Sequence, residues 1–172
     1  MKWRAWVLPL LILTCVTFFL WKALFHDVQA VPSPLVGKPV PELSANDLYS
    51  DNKVNIESYL GKPYIIHVFA SWCGYCEMEH VFWVNFKKHH KITLVGIDYR
   101  DDSDDARAWL KKLGNPYDVV MHDRFGFTSF SLGVYGTPET FLVDKGGVVR
   151  QRWVGPINEA IWKSEFSKWV DH

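Results

Sequence analysis

The sequence predicts an α/β domain in which helices flank a mixed central sheet, preceded by a single transmembrane helix. Three observations lead there. Tyr64 to Ala70, Ile92 to Ile97 and Thr140 to Val143 are nearly continuous runs of strand-forming apolar residues, the pattern of strands covered on both faces. Between the last two, Asp104 to Leu113 places Ala106, Trp109, Leu110 and Leu113 on one helical face. At the amino end, Ala5 to Trp21 is a run of seventeen uncharged positions.

That amino-terminal run reads as a membrane anchor, residues 1–27. Leu24 and Phe25 extend it past Lys22, and Lys2 and Arg4 precede it, which holds the amino terminus in the cytoplasm and sends the rest outward. Trp3, Trp6 and Trp21 suit the two membrane interfaces. The competing reading is a cleaved secretory signal with Val28-Gln29-Ala30 as its cleavage site, but the apolar run exceeds the roughly 7 to 15 residues of a signal core. Both readings export the remainder of the chain. Pro9 falls in the first turns, where the amides lack helical partners. Cys15 lies inside the apolar run, and Thr14 before it spoils a lipoprotein box, so a passive thiol is expected. Residues 28–42, punctuated by Pro32, Pro34, Pro39 and Pro41, read as an extended tether.

The exported domain, residues 43–172, opens with a short strand expected near Glu42 to Ser44. The run from Tyr64 belongs at the centre of a sheet, and it ends at a cysteine pair that opens a helix. Asp104 to Leu113 has Ser103 as its expected cap, Lys111 and Lys112 in its last turn and Gly114 ending it. The carboxylates Asp101, Asp102, Asp104 and Asp105 are explained as charges at a helix start rather than as metal ligands. Val148 to Val154 returns as a hairpin strand after Lys145-Gly146-Gly147. A last helix is expected over 158–170, with Ile161, Trp162, Phe166, Trp169 and Val170 as its core stripe.

Composition narrows the function. Among 172 residues, 19 Lys and Arg balance 19 Asp and Glu, and the hydrophobic fraction is 48%. That excludes a disordered tail and nucleic-acid binding by bulk charge. Three cysteines cannot build a disulfide framework. Cys73 and Cys76 are so close that their bond would cross-link almost nothing, which makes them candidates for chemistry rather than stability.

The chemistry is concentrated at Ser71-Trp72-Cys73-Gly74-Tyr75-Cys76. At a helix amino terminus the first sulfur meets unpaired backbone amides and the positive end of the helix dipole, which stabilises a thiolate. Cys73 is therefore the expected nucleophile, and Cys76, one turn further in, the thiol that resolves a mixed disulfide. Half of a zinc site completed by His80 is disfavoured because no second cysteine pair exists. A Cu(I) metallochaperone, with Met78 and His80 as added ligands, is a further alternative. Glu79, on the next helical turn, is the expected proton carrier, with a solvated surface charge as the plain alternative. His67 lies within the apolar strand before the pair, either as a proton acceptor beneath the sulfurs or as a core hydrogen-bonder. His80, His89 and His90 are expected on the exposed helix surface, and Asp98 faces either the ligand side or a turn.

Gly136-Thr137-Pro138-Glu139 completes the constellation. A proline directly before a strand, behind a small polar residue, is a candidate cis peptide bond that exposes backbone to an incoming peptide. Apolar strand, Trp-Cys-x-x-Cys, helix and Thr-Pro before a hairpin together resemble the thioredoxin superfamily. More narrowly, the chain is similar to the membrane-tethered cytochrome c biogenesis thiol reductases of the CcmG/DsbE family. The matching text is Leu35 to Pro41, the block from Trp72 to His80, Trp109 to Tyr117, and Gly133 to Asp144.

The resemblance implies a thioredoxin-like domain in the periplasm on a bacterial inner-membrane anchor. It would reduce the disulfide of an apocytochrome c haem-attachment motif, alone or with the haem-lyase assembly. A transmembrane carrier of the DsbD or CcdA type would then reduce its own disulfide. No cofactor beyond that disulfide and no metal is expected. The resemblance assigns catalysis to Cys73, Cys76 and Glu79, and substrate contact to Trp72, Gly74, Tyr75, Thr137, Pro138 and Glu139, the last as an acid in the groove. Three residues depart from the family pattern: the Gly74-Tyr75 pair, Thr137 for a frequent Ala, and His67 for Asn or an acid. A thiol oxidase or general disulfide exchanger would use the same scaffold at a potential higher by about 150 mV, which sequence does not resolve.

Overall fold

In the computed structural model, which describes residues 4–24, 34–50 and 52–170, the chain divides into two units, Met1–Val31 and Pro32–His172. The first contains helix α1 (Arg4–Leu24, 21 residues). Its side chains are described for residues 6–22, all exposed within this chain. Among the described residues no helix is long and apolar enough to cross a membrane. The flanking Lys2 and Trp3, and the proposed cleavage site at Val28 to Ala30, lie outside the described residues.

The second unit runs β1 (Ser44–Asp47), β2 (Lys53–Asn55), a 3₁₀ turn (Ile56–Tyr59), β3 (Tyr64–Phe69), α2 (Gly74–His89), β4 (Thr93–Tyr99), α3 (Ser103–Leu113), β5 (Val119–Asp123), α4 (Phe127–Ser131), β6 (Glu139–Val143), β7 (Val149–Val154) and α5 (Glu159–Ile161). One mixed sheet results, in the order β2-β1-β5-β4-β3-β6-β7. β3, β4 and β5 are parallel, and the pairs β3–β6, β6–β7, β1–β5 and β1–β2 are antiparallel. This is the thioredoxin-like α/β fold.

β3 explains why the sheet has two covered faces. Its six residues are all buried, and alternate side chains go to opposite sides. Ile65 and Phe69 join the layer of Trp83, Phe86, Leu110 and Trp162 from α2, α3 and the carboxyl-terminal helix. Tyr64, Ile66 and Val68 join Leu43, Ile56, Leu132 and Val134 on the other face. Each such side chain contributes on the order of 1.5–3 kcal/mol by leaving water.

Several elements depart from the sequence expectation. The first strand begins at Ser44 rather than Glu42, because Asn46 and Asp47 pair with His122 and Met121 of β5. Neither residue is apolar, so the pairing left no hydrophobic signal. The stretch expected as tether is docked over its last part: Gly37 N donates to Val149 O at 2.8 Å, Val149 N to Lys38 O at 3.0 Å, and Val40 N to Gly147 O at 2.8 Å. Leu35 and Val40 pack against the core. α3 is capped by Asp102, whose side chain accepts Asp104 N at 2.9 Å; Ser103 is already inside the helix and its hydroxyl accepts from Arg107. The last helix is regular only over Glu159–Ile161, then widens into a π turn (Trp162–Phe166) and a 3₁₀ turn (Ser167–Trp169). Trp162 and Phe166 stack there at 5.4 Å, and Trp162 meets Phe86 edge-on at 4.5 Å. Their four-residue spacing suits a helix of either width, so the pattern did not distinguish them.

Candidate active site

The fold delivers the cysteine pair to the carboxyl end of the central strand. β3 stops at Phe69, Cys73 N donates to Ala70 O at 3.2 Å, and Cys73 becomes the cap of α2 in extended conformation (φ −89°, ψ 108°). Its sulfur accepts the Cys76 N–H at 3.2 Å, so a backbone amide at the positive end of the helix points at the expected nucleophile. The two sulfurs are joined, with Cα atoms 5.2 Å apart. Cys73 is 6 % exposed and Cys76 1 %, so of the two the first is nearer the surface, as the nucleophile's role requires. Trp72 and Tyr75 are exposed beside it, Trp72 held by its Nε1–H to Arg100 O at 3.1 Å. Gly74 faces open space, with no heavy atom within 4 Å of where a Cβ would stand.

Beneath the pair lies a buried polar chain. Glu79 is buried on α2, where Oε2 accepts Ile157 N–H at 2.6 Å and Oε1 accepts Trp83 Nε1–H at 3.3 Å. It is not a solvated surface charge. His67, also buried, sits with Nε2 2.5 Å from Glu79 Oε1, off the line of a conventional hydrogen bond, and with Nδ1 2.9 Å from Tyr117 OH. Burial, followed by the charges of Glu79 and Asp98, pushes the Tyr117 hydroxyl well above its usual pKa. Tyr117 thus stays protonated and donates to Nδ1, which leaves the Nε2 proton facing Glu79. His67 is thus a core hydrogen-bonder that also touches Glu79.

His80 corrects the expectation of an exposed residue. The end of α3 covers it: Nε2 is 2.7 Å from Gly114 O and the ring meets Trp109 edge-on at 4.3 Å. Burial lowers its pKa, so the neutral ring donates to Gly114 O and turns away from ligand duty. His90 is half-buried and stacks on Phe86 at 4.0 Å, whereas His89 is exposed. Met78 is exposed. Among the described residues no group of three or more His, Cys, Asp or Glu is arranged to hold a metal ion.

The second wall comes from β6. Thr137–Pro138 is a cis peptide bond. The Val68↔Glu139 register sets Pro138 beside the end of β3, next to the cysteine turn. Glu139 itself corrects the expectation of an acid lining the groove, since its exposure is 0 %. Its Oε1 accepts Tyr135 N–H at 3.2 Å, and its Oε2 accepts from Arg152 at 2.8 and 2.7 Å. Burial raises its pKa, opposed by the Arg152 guanidinium. Arg152 also reaches Gly133 O at 3.0 Å and lies 5.3 Å from the Tyr135 ring centre. Glu139 therefore braces the Gly133–Tyr135 loop from below instead of meeting substrate. Arg152 and Tyr117 were not singled out in the sequence, because a strand arginine and a tyrosine after Asn-Pro are ordinary surface readings.

Comparison with known proteins agrees with this geometry. The Redoxin family model matches residues 35–168. A thiol:disulfide interchange protein DsbE of Pasteurella multocida is 42% identical over 137 residues, covering 79% of this chain and 75% of that one. The DsbE of Escherichia coli K12 is 38% identical over 172 residues, covering 96% and 92%. A solved thiol:disulfide interchange protein of the thioredoxin family from Chlorobium tepidum is 28% identical, with a TM-score of 0.61 over 77% of this chain and 93% of that one. A redox disulfide capping a helix, a buried acid behind it and a cis-proline beside it thus sit in a chain that belongs to the DsbE (CcmG) family of thioredoxin-like thiol-disulfide oxidoreductases.

Proposed function

We propose that this oxidoreductase works as a reductant in the bacterial periplasm, opening the disulfide of the haem-attachment motif of apocytochrome c during cytochrome c maturation. The Cys73 thiolate attacks one substrate sulfur, forming a mixed disulfide and releasing the other substrate sulfur as a thiolate. Cys76 then attacks Cys73, forming Cys73–Cys76 and releasing the second substrate thiolate. Two electrons pass to the substrate, and a DsbD- or CcdA-type membrane carrier returns two to the cysteine pair. No cofactor other than the dithiol takes part. Glu79, against His67, receives the proton of the attacking Cys76 thiol and returns one to the leaving sulfur.

The observation that carries the exchange chemistry is Cys73 at the cap of α2, its sulfur accepting the Cys76 amide, with Cys73 the less buried of the two cysteines. The choice of client and direction is supported by the likeness to the DsbE relatives. Anchoring through the amino-terminal segment is part of the same reading, and its support is the uncharged run from Ala5 to Trp21 in the sequence. Lys2 and Arg4 would stay on the cytoplasmic side. The test is the reduction potential of Cys73/Cys76 in the full-length chain in mild detergent, equilibrated in thiol buffers and read by alkylation. A value near thioredoxin's, about −270 mV, supports a dedicated reductant. A value near DsbA's, about −120 mV, makes the protein a disulfide donor and overturns the proposal.

A further inference from the structure

Helix α4 carries its polarity inside out. Its buried residues are Thr128 and Ser129, while Phe127 and Phe130 stand 74 % and 78 % exposed. The inward turn is fixed by Asp123, whose carboxylate accepts the Thr128 amide at 3.2 Å and the Ser129 amide at 2.7 Å, and by the Thr128 hydroxyl, which donates to Ser44 O at 3.3 Å. Residues three apart share a helical face, so the two exposed rings are neighbours. Phe125, 68 % exposed, adds a third ring 6.1 Å from Phe127. Single exposed apolar side chains are ordinary, but adjacent rings on a segment that hides its hydroxyls form a surface for a partner.

This surface is continuous with the redox face. Trp72, directly before Cys73, donates Nε1–H to Arg100 O at 3.1 Å. Arg100 has left-handed backbone (φ 49°), which a residue with a Cβ rarely adopts. Its own N–H donates to Asp123 O at 3.0 Å, the carbonyl that also accepts Gly126 N–H at 3.0 Å. Its side chain lies against Gly126, where a Cβ would stand 2.7 Å from Arg100 Nε. One arginine therefore spans from the tryptophan beside the nucleophile to the glycine between Phe125 and Phe127. Arg100 and Arg124 are both exposed, and among the described residues neither takes part in a salt bridge. The nearby acids are engaged elsewhere: Asp123 by the α4 amides, Asp101 by Ser71 and Asp102 by Asp104.

We propose that Phe125, Phe127 and Phe130, rimmed by Arg100 and Arg124, dock an unfolded client polypeptide through the apolar and acidic side chains that flank the disulfide attacked by Cys73. A polypeptide that brings its disulfide to Cys73 lies beside Trp72, and its flank passes over Arg100 onto the three rings. The two unpaired guanidinium groups match carboxylates on that flank. The rings touch no reacting sulfur, so they add binding shared by ground and transition states and leave the exchange step itself unchanged. The inference rests on exchange at Cys73 and on no particular client.

The test uses the reduced full-length chain in lipid nanodiscs and three oxidants: a synthetic peptide closed by one disulfide with Phe, Leu and Glu on both flanks, the same peptide with Ser and Gly in their place, and bis(hydroxyethyl) disulfide, which is neutral and too small to reach α4. The wild type is expected to attack the first peptide about tenfold faster than the second at low peptide concentration. Phe127→Ser with Phe130→Ser, two changes at exposed positions, should make the two peptides equal and leave the rate with bis(hydroxyethyl) disulfide as it was. Arg124→Glu should slow the first peptide alone. Equal peptide rates in the wild type, a preference that survives in the double variant, or an equal loss with the small disulfide overturns the proposal. So does a wild-type dimer in sedimentation that the double variant abolishes, which gives the rings to a second copy, or a preference present in detergent and absent in nanodiscs, which gives them to lipid. A wild type that attacks none of the three disulfides overturns instead the exchange reading beneath the proposal.

Discussion

Replacing Arg152 by leucine separates a structural brace from a substrate contact. Arg152 gives two contacts to Glu139 Oε2 and one to Gly133 O, from a side chain that is itself nearly buried. Removing one member of a buried ion pair costs about 3–5 kcal/mol. Protonation of the stranded carboxyl sets a ceiling. Taking a group of ordinary pKa 4.5 to its neutral form costs about 5 kcal/mol at pH 8 and about 1.4 kcal/mol at pH 5.5. The sign is fixed by linkage: without the guanidinium, the folded-state pKa of Glu139 climbs further above its unfolded value. Stability is then retained below the unfolded pKa and is lost as pH rises toward the folded one. Arg152→Leu, which keeps apolar contact with Tyr135 and Phe141, is therefore expected to lose about 3–5 kcal/mol at pH 8 and only about 1–2 kcal/mol at pH 5.5. Urea unfolding of the full-length chain in detergent, followed by near-ultraviolet circular dichroism, resolves this, since the midpoint shift at pH 8 exceeds about 1 M. An equal shift at both pH values, or a loss below about 1 kcal/mol at pH 8, would refute the argument that an unpaired buried charge is what the substitution creates.

Other expectations rest on the same geometry. Cys76→Ser should accumulate a mixed disulfide with a client or a model peptide on a non-reducing gel, whereas Cys73→Ser should form none; trapping through Cys76 in the second variant would reverse the assigned roles. Glu79→Gln keeps an acceptor for Ile157 N–H but loses the charge facing His67. Exchange is expected to slow by about 10²-fold with a stability loss of only about 1–3 kcal/mol. An unchanged pH–rate profile removes the proton role. Gly96→Ala places a Cβ 2.9 Å from Tyr117 Cγ and 3.0 Å from Phe69 Cε1, and should destabilise the domain by about 1–3 kcal/mol, measured as a lowered unfolding midpoint. A neutral outcome would mean that the ring stack on β4 yields freely.

The buried parallel strands, the cysteine turn and the cis-proline were legible because each is written in consecutive residues. Continuous apolar runs mark covered strands, and Cys73, Cys76 and Pro138 sit at their ends. Less legible were the features that depend on what a distant segment does. β5 carries only a short apolar stretch after Asn115-Pro116, and it becomes a strand by pairing with β4. His80 reads as a surface residue of α2 until Trp109 and Gly114 close over it. Glu139 reads as a groove acid by its place after Pro138, and becomes a brace only because Arg152, on the partner strand, reaches back to it. Asp101 and Asp102 read alike, yet one caps α3 and the other holds Ser71. Local chemistry is written in sequence order, whereas the partners of buried charges are set by register.

The two outer strands of the sheet bear on how copies of this protein coexist. An unprotected sheet edge offers unpaired amides and carbonyls to any neighbouring chain. Here one edge is β2, three residues long and carrying Lys53, and the other is β7, with Arg150 and Arg152 along it. The start of β7 is already occupied by residues 37–40, and Arg152 is a charge turned inward, which a strand adding to that edge would have to accommodate. Oligomers built by extending one sheet into the next are disfavoured at both ends. Crowding these domains together therefore does not by itself zip one sheet onto the next.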